Sequence, residues 1–159
     1  KFLDEYAKDL PHYLKQASRP LEQHLKVWEC FCTHSFAHPD IFWLLFFKQK
    51  DRNWDFSHYF HAYYDIFPEN WNEELNSYKP MFASEDLYTR EFISLSKALT
   101  EENLHLSETD IHAVSIMNNL IYRGMLETLR EDPDFFAVPD AVVQTLSYLK
   151  KTLIAYGIE

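Results

Sequence analysis

The sequence predicts an all-α fold. Three observations carry this expectation. Apolar residues recur at three- and four-residue spacings along nearly the whole chain. The prolines fall where helices start or stop. Glycine is almost absent: 2 of 159 residues, against roughly 11 at an average usage of about 7%. Hairpin-rich β folds need glycine at positive φ, and phosphate-cradling turns need several in one stretch. Both classes are therefore disfavoured.

The first helix is expected over residues 2–16, with Leu3, Tyr6, Leu10, Tyr13 and Leu14 on one apolar face. Pro20 suits the first turn of a second helix reaching about Ala37. That helix is apolar on two faces, one with Leu21, Leu25, Trp28, Cys32 and Phe36, the other with Val27, Phe31, His34 and His38. Such a helix is expected at the centre of its domain. A third helix, from Pro39-Asp40 to about Lys50, is apolar nearly all round and is expected to be buried. A fourth, 53–67, carries an aromatic stripe of Phe56, Tyr59, Phe60, Tyr63, Tyr64 and Phe67 and stops at Pro68.

Residues 70–78 are read as one short helix, with Pro80 as a further break and Ser84 as an N-cap. Tyr88, Phe92, Leu95 and Leu99 then mark a helix ending near Asn103, a left-handed terminator. Ser107 caps the next helix, which runs about 23 residues to Arg130, about 35 Å long. Pro133 and Pro139 bracket a linker. The last helix ends at Tyr156 before Gly157, with Val142, Leu146, Leu149, Leu153 and Tyr156 in a four-three-four-three seam. Two long helices with such stripes point to packing on partner helices.

Charge narrows function. With 15 basic and 25 acidic side chains the formal net charge is −10. Nucleic-acid contacts need clustered Lys and Arg, so the chain is not expected to bind DNA by itself. No apolar run approaches a membrane span, and no signal peptide is visible in the sequence. Cys30 and Cys32 lie two apart on a helix and cannot bridge each other. Reduced thiols and a cytoplasmic location are expected.

The order of parts resembles the C-terminal domain of TetR-type transcriptional regulators. Thr33-His34-Ser35-Phe36-Ala37-His38-Pro39-Asp40-Ile41-Phe42 is similar to the family's run into a His-Pro-acid turn and a short buried helix. Leu99-Thr100-Glu101-Glu102-Asn103-Leu104 resembles its break before the penultimate helix, although the family often has Gly where Asn103 stands. Ile121-Tyr122-Arg123-Gly124-Met125-Leu126 resembles its small-residue point, 142–157 its closing dimer helix, and Phe67-Pro68-Glu69 a subset with an added aromatic helix.

The resemblance implies that residues 1–159 form a single ligand-binding and dimerisation domain. Residues 2–16 would then be the connecting helix to an N-terminal DNA-binding head that is not part of this chain. It further implies a homodimer built by the last two long helices as a four-helix interface, with Met125, Leu126, Leu129, Val142, Leu146, Leu149 and Leu153 at the contact. A small hydrophobic or aromatic effector would enter a pocket and release DNA. The residues suggest that pocket: Trp28, Phe31, Phe60, Tyr63, Tyr64, Phe92 and Tyr122 as aromatic walls, His34 and Asn118 as polar handles. The other class of function that fits is a helical adaptor without a cavity.

No enzyme is expected. No nucleophile–base pair stands out, and of the Glu-x-x-His units a di-iron bundle requires, only 102–105 fits, at a break. No metal or cofactor is expected either. Cys30, His34 and His38 share a helix face, but the ends of one helix diverge too far to close on one tetrahedral ion. His58 and His61 with Asp55 and Asp65 form a second, looser set.

Overall fold

The computed structural model describes residues 1–48, 56–84 and 86–159. Among the described residues the fold is all-α, with no strand. The helices are α1 (Phe2–Leu14), α2 (Pro20–Ala37), α3 (Pro39–Phe46), α4 (Phe56–Ile66), α5 (Lys79–Phe82), α6 (Leu87–Glu101), α7 (Glu108–Glu131) and α8 (Val138–Ala155).

Local chemistry sets several of these limits as expected. Ser107 Oγ accepts from the Asp110 N–H at 3.1 Å and opens α7. Asn103 takes φ 54° and ends α6, and the Leu104 N–H reaches back to the Leu99 carbonyl at 2.9 Å. Gly157, at φ 79°, closes α8 in the same manner, with the Ile158 N–H on the Leu153 carbonyl. Ser107→Ala should lower stability by about 1 kcal/mol in urea denaturation. A change below about 0.3 kcal/mol would mean that tertiary packing alone holds the start of α7.

Other limits differ from expectation. Residues 70–78 do not make one α-helix. Short 3₁₀ segments, Pro68–Asn70 and Glu73–Tyr78, lead directly into α5. Pro80 sits in the first turn of α5 and does not break it, because a first-turn residue needs no N–H donor. Asp86, not Ser84, caps α6, accepting from the Thr89 N–H at 2.7 Å, while the Ser84 hydroxyl turns back to the Pro80 carbonyl. Pro139 lies inside the first turn of α8. The expected start of the fourth helix, 53–55, lies outside the described residues.

Packing centres on α2, which touches α1, α3, α6, α7 and α8, as its two apolar faces require. The main core is aromatic: the Tyr122 ring lies 5.2–5.8 Å from those of Phe31, Trp28 and Phe36. A smaller cluster of Leu21, Leu95, Leu99, Val114 and Leu153 fills one end of the bundle. α3 is not buried. Only Phe42 turns fully inward, and the Trp43 ring is roofed by the Arg123 and Arg130 guanidinium groups at 5.1 and 4.4 Å. Arginine stems and cation–π contact thus shelter apolar surface that the other described residues leave partly open.

The expected dimer surface needs correction. Leu126 and Leu149 are 0% exposed, and Leu129, Val142 and Leu153 are also buried. Met125 and Leu146 pack against the same core. The four-three seam is the face with which α8 meets α2 and α7 of its own chain. The apolar side chains that point outward are Ile116 and Leu120 on α7 and Val143, Tyr148 and Ile154 on α8.

Candidate functional site

Helix α6 brings charge into the core. Leu87, Arg90, Glu91, Ser94, Leu95 and Ala98 are all buried, at the spacing of one helix face. Arg90 and Glu91 are adjacent in sequence and both are less than a tenth exposed. Burying two charges costs several kcal/mol each unless their bonds are well made.

Glu91 is saturated with donors. Its Oε1 accepts from His24 Nε2 at 3.2 Å and from Asn118 Nδ2 at 2.8 Å; its Oε2 accepts from the Trp28 indole N–H at 2.6 Å. A carboxylate only accepts, so His24 Nε2 carries a proton; Nδ1 faces the Ser94 hydroxyl at 2.8 Å. Three helices, α2, α6 and α7, are thereby tied to one carboxylate. Asn118 Oδ1, and Ser115 Oγ one turn earlier on α7, are buried with no hydrogen-bond partner among the described residues.

Arg90 points the other way. Its Nε and Nη2 donate to the Ser84 and Phe82 carbonyls at 3.2 and 3.0 Å, and its guanidinium lies 5.3 Å from the Phe46 ring. Burial pulls its pKa down to about 10, which still leaves it charged near neutrality.

Two cavities meet at Arg90. The inner one, about 30 Å³, is walled by Tyr6, Trp28, Phe31, Met81, Arg90 and Glu91. The outer one, about 170 Å³, is lined by Leu3, Asp4, Tyr59, Phe60, Tyr63, Tyr64 and Arg90. The Phe82 ring stands near both, 5.5 Å from Tyr6 and 6.4 Å from Phe60. α1 contributes to each wall, through Tyr6 to the inner cavity and Leu3 and Asp4 to the outer one.

The residues proposed from sequence divide accordingly. Trp28 and Phe31 line the inner cavity; Phe60, Tyr63 and Tyr64 line the outer one. Asn118 holds Glu91, and Tyr122 packs at a tilt against Phe31 without lining either cavity. Two residues do not belong. His34 faces Asp9 on the outer side of α1 and α2, at 3.0 Å. Phe92 stacks on His112 at 4.4 Å, on a face of α6 turned from the core, where the Tyr88 hydroxyl also bonds His112 Nδ1.

Tyr6, His24, Arg90, Glu91 and Ser94 were missed. The available signal was the 87/91/94/98 spacing, which sets Glu91 on the same stripe as Leu87, Ser94 and Ala98. Of the loose metal set on α4, His58, His61 and Asp65 are exposed and Asp55 lies outside the described residues.

Comparison with known protein families, with curated proteins and with solved structures finds no match. The assignment of function therefore rests on the geometry of this chain. That geometry describes an all-α domain with a charged, hydrogen-bonded cluster inside an aromatic core. No helix among the described residues is long and apolar enough to cross a membrane.

Proposed function

We propose that this chain is the effector-sensing, self-associating domain of a TetR-type transcriptional repressor. One observation carries the reading: α1 walls both cavities. An occupant that prefers one position of α1 shifts the population of α1 positions. In such a repressor α1 continues toward the DNA-reading head, so displacing it changes the spacing of two heads across a dimer. A near-complete switch requires about 5.5 kcal/mol of differential affinity.

The outer cavity supports a planar hydrophobic effector. At about 170 Å³ it exceeds the roughly 150 Å³ that admits benzene in an apolar protein cavity. Arg90 at its inner end supplies positive charge. The outward face of α7 supports self-association: Ile116, Leu120 and Gly124 fall four apart, and a Cβ on Gly124 would meet nothing within 4 Å. A mid-helix glycine costs about 1 kcal/mol relative to alanine, and none of the described residues requires it. Close approach of a second helix would.

A thermal-shift screen of single- and double-ring aromatic compounds tests the effector reading. A ligand at 100 times its Kd adds about 2.7 kcal/mol, or roughly 5–10 °C in Tm for a domain of this size. Tyr64→Ala should abolish the shift. The adaptor reading is favoured by the small inner cavity, which has room for little more than a water. A screen with no stabiliser, together with an intact outward face on α7 and α8, would decide for the adaptor.

A further inference from the structure

The sequence places Cys30 and His34 one turn apart on α2 but offers them no third ligand within reach, because His38 sits beyond the bend, exposed and packed on Phe2 at 4.9 Å. The fold supplies that ligand from a different helix. Asp9 of α1 lies across from α2, and the Asp9 carboxylate, the Cys30 thiol and the His34 imidazole present one donor atom each, all within 4.8 Å of one another. His34 Nε2 and Asp9 Oδ2 are already 3.0 Å apart.

We propose that Asp9, Cys30 and His34 form a binding site for a divalent transition-metal ion, zinc above all, that fastens α1 to α2. The donor set decides the class of ion. Thiolate and imidazole suit zinc, cobalt and copper, whereas calcium and magnesium take oxygen ligands. Ligands of a tetrahedral zinc stand about 3.3–3.7 Å apart, from bond lengths of about 2.0–2.3 Å. Side-chain adjustments of about an ångström close the site. Three protein ligands leave one position for water.

The surroundings agree. Cys30 is 0% exposed, while the His34 and Asp9 side chains are 22% and 44% exposed, so an ion arrives from solvent onto a sealed sulfur. The Cys30 thiol gives up little, since its own contact, the Tyr6 carbonyl, is 3.8 Å away. Burial and the negative charges of Asp9 and Glu29 push the thiol's pKa up. The same negative field that disfavours a bare thiolate favours a cation that neutralises it. The site shares no residue with the Arg90 and Glu91 cluster and does not rest on the effector reading.

The test uses the whole purified chain, stripped with chelator and titrated with Co²⁺. One Co²⁺ per chain is expected, with the near-ultraviolet charge-transfer absorbance of a cobalt thiolate and displacement by Zn²⁺. Cys30→Ser should remove that absorbance and Cys32→Ser should keep it. Asp9→Asn and His34→Gln, at half-exposed positions, should each weaken binding by more than about tenfold. If Cys30→Ser does not fold, those two variants decide the matter. Absence of thiolate absorbance in the wild-type chain, its persistence in Cys30→Ser, or unchanged affinity in both Asp9→Asn and His34→Gln would overturn the site.

Discussion

Glu91→Ala is expected to lower folding stability by about 3–5 kcal/mol, the range for removing one partner from a buried, charged hydrogen-bonded group. The carboxylate accepts from His24, Trp28 and Asn118 on two other helices, at 2.6–3.2 Å. Its removal orphans three buried donors at once and opens a void beside the inner cavity. Glu91→Gln keeps the shape and one acceptor, so its loss should be smaller, about 1–3 kcal/mol. Denaturant melts followed by circular dichroism measure both. A loss under about 1 kcal/mol for Glu91→Ala would show that the three donors find other partners in solution.

Leu149→Asp should prevent folding, whereas Leu120→Asp should leave it nearly untouched. Leu149 is 0% exposed against α2 and α7, and Leu120 is 63% exposed. The first change removes a core side chain, worth about 2–5 kcal/mol, and adds a carboxylate with no counter-charge. That exceeds much of the roughly 5–15 kcal/mol by which a domain is stable. The second is a surface change, within about 0.5 kcal/mol. Circular dichroism reads the fold, and light scattering reads the mass. If the outward face of α7 joins two copies, Leu120→Asp gives a folded monomer. A folded Leu149→Asp would place the α8 seam on the surface after all.

These two residues also mark where sequence reasoning stops. The stripe at 142/146/149/153 is a genuine helix face, but its regularity does not say whether the facing helix belongs to the same chain. Leu149 and Leu120 are equally apolar, and only burial separates them. The same ambiguity moved Phe92 out of the site, since an apolar residue on α6 has two neighbouring directions in which to be covered. Glu91 is the inverse case. A charge between apolar neighbours reads as a solvated gap in the stripe until three donors from α2 and α7 are seen around it.

Residues near one another in the chain were enough to establish the all-helical class, the Ser107 cap, the left-handed turns at Asn103 and Gly157 and the central place of α2. Caps, breakers and periodicity act over one or two turns and are written in consecutive residues. Which faces meet, that Arg90 and Glu91 go inside, and that Asp9 completes a donor set with Cys30 and His34 emerged only from packing. Those outcomes depend on side chains 21 to 70 positions apart competing for the same interior space, and no local pattern records which of them wins.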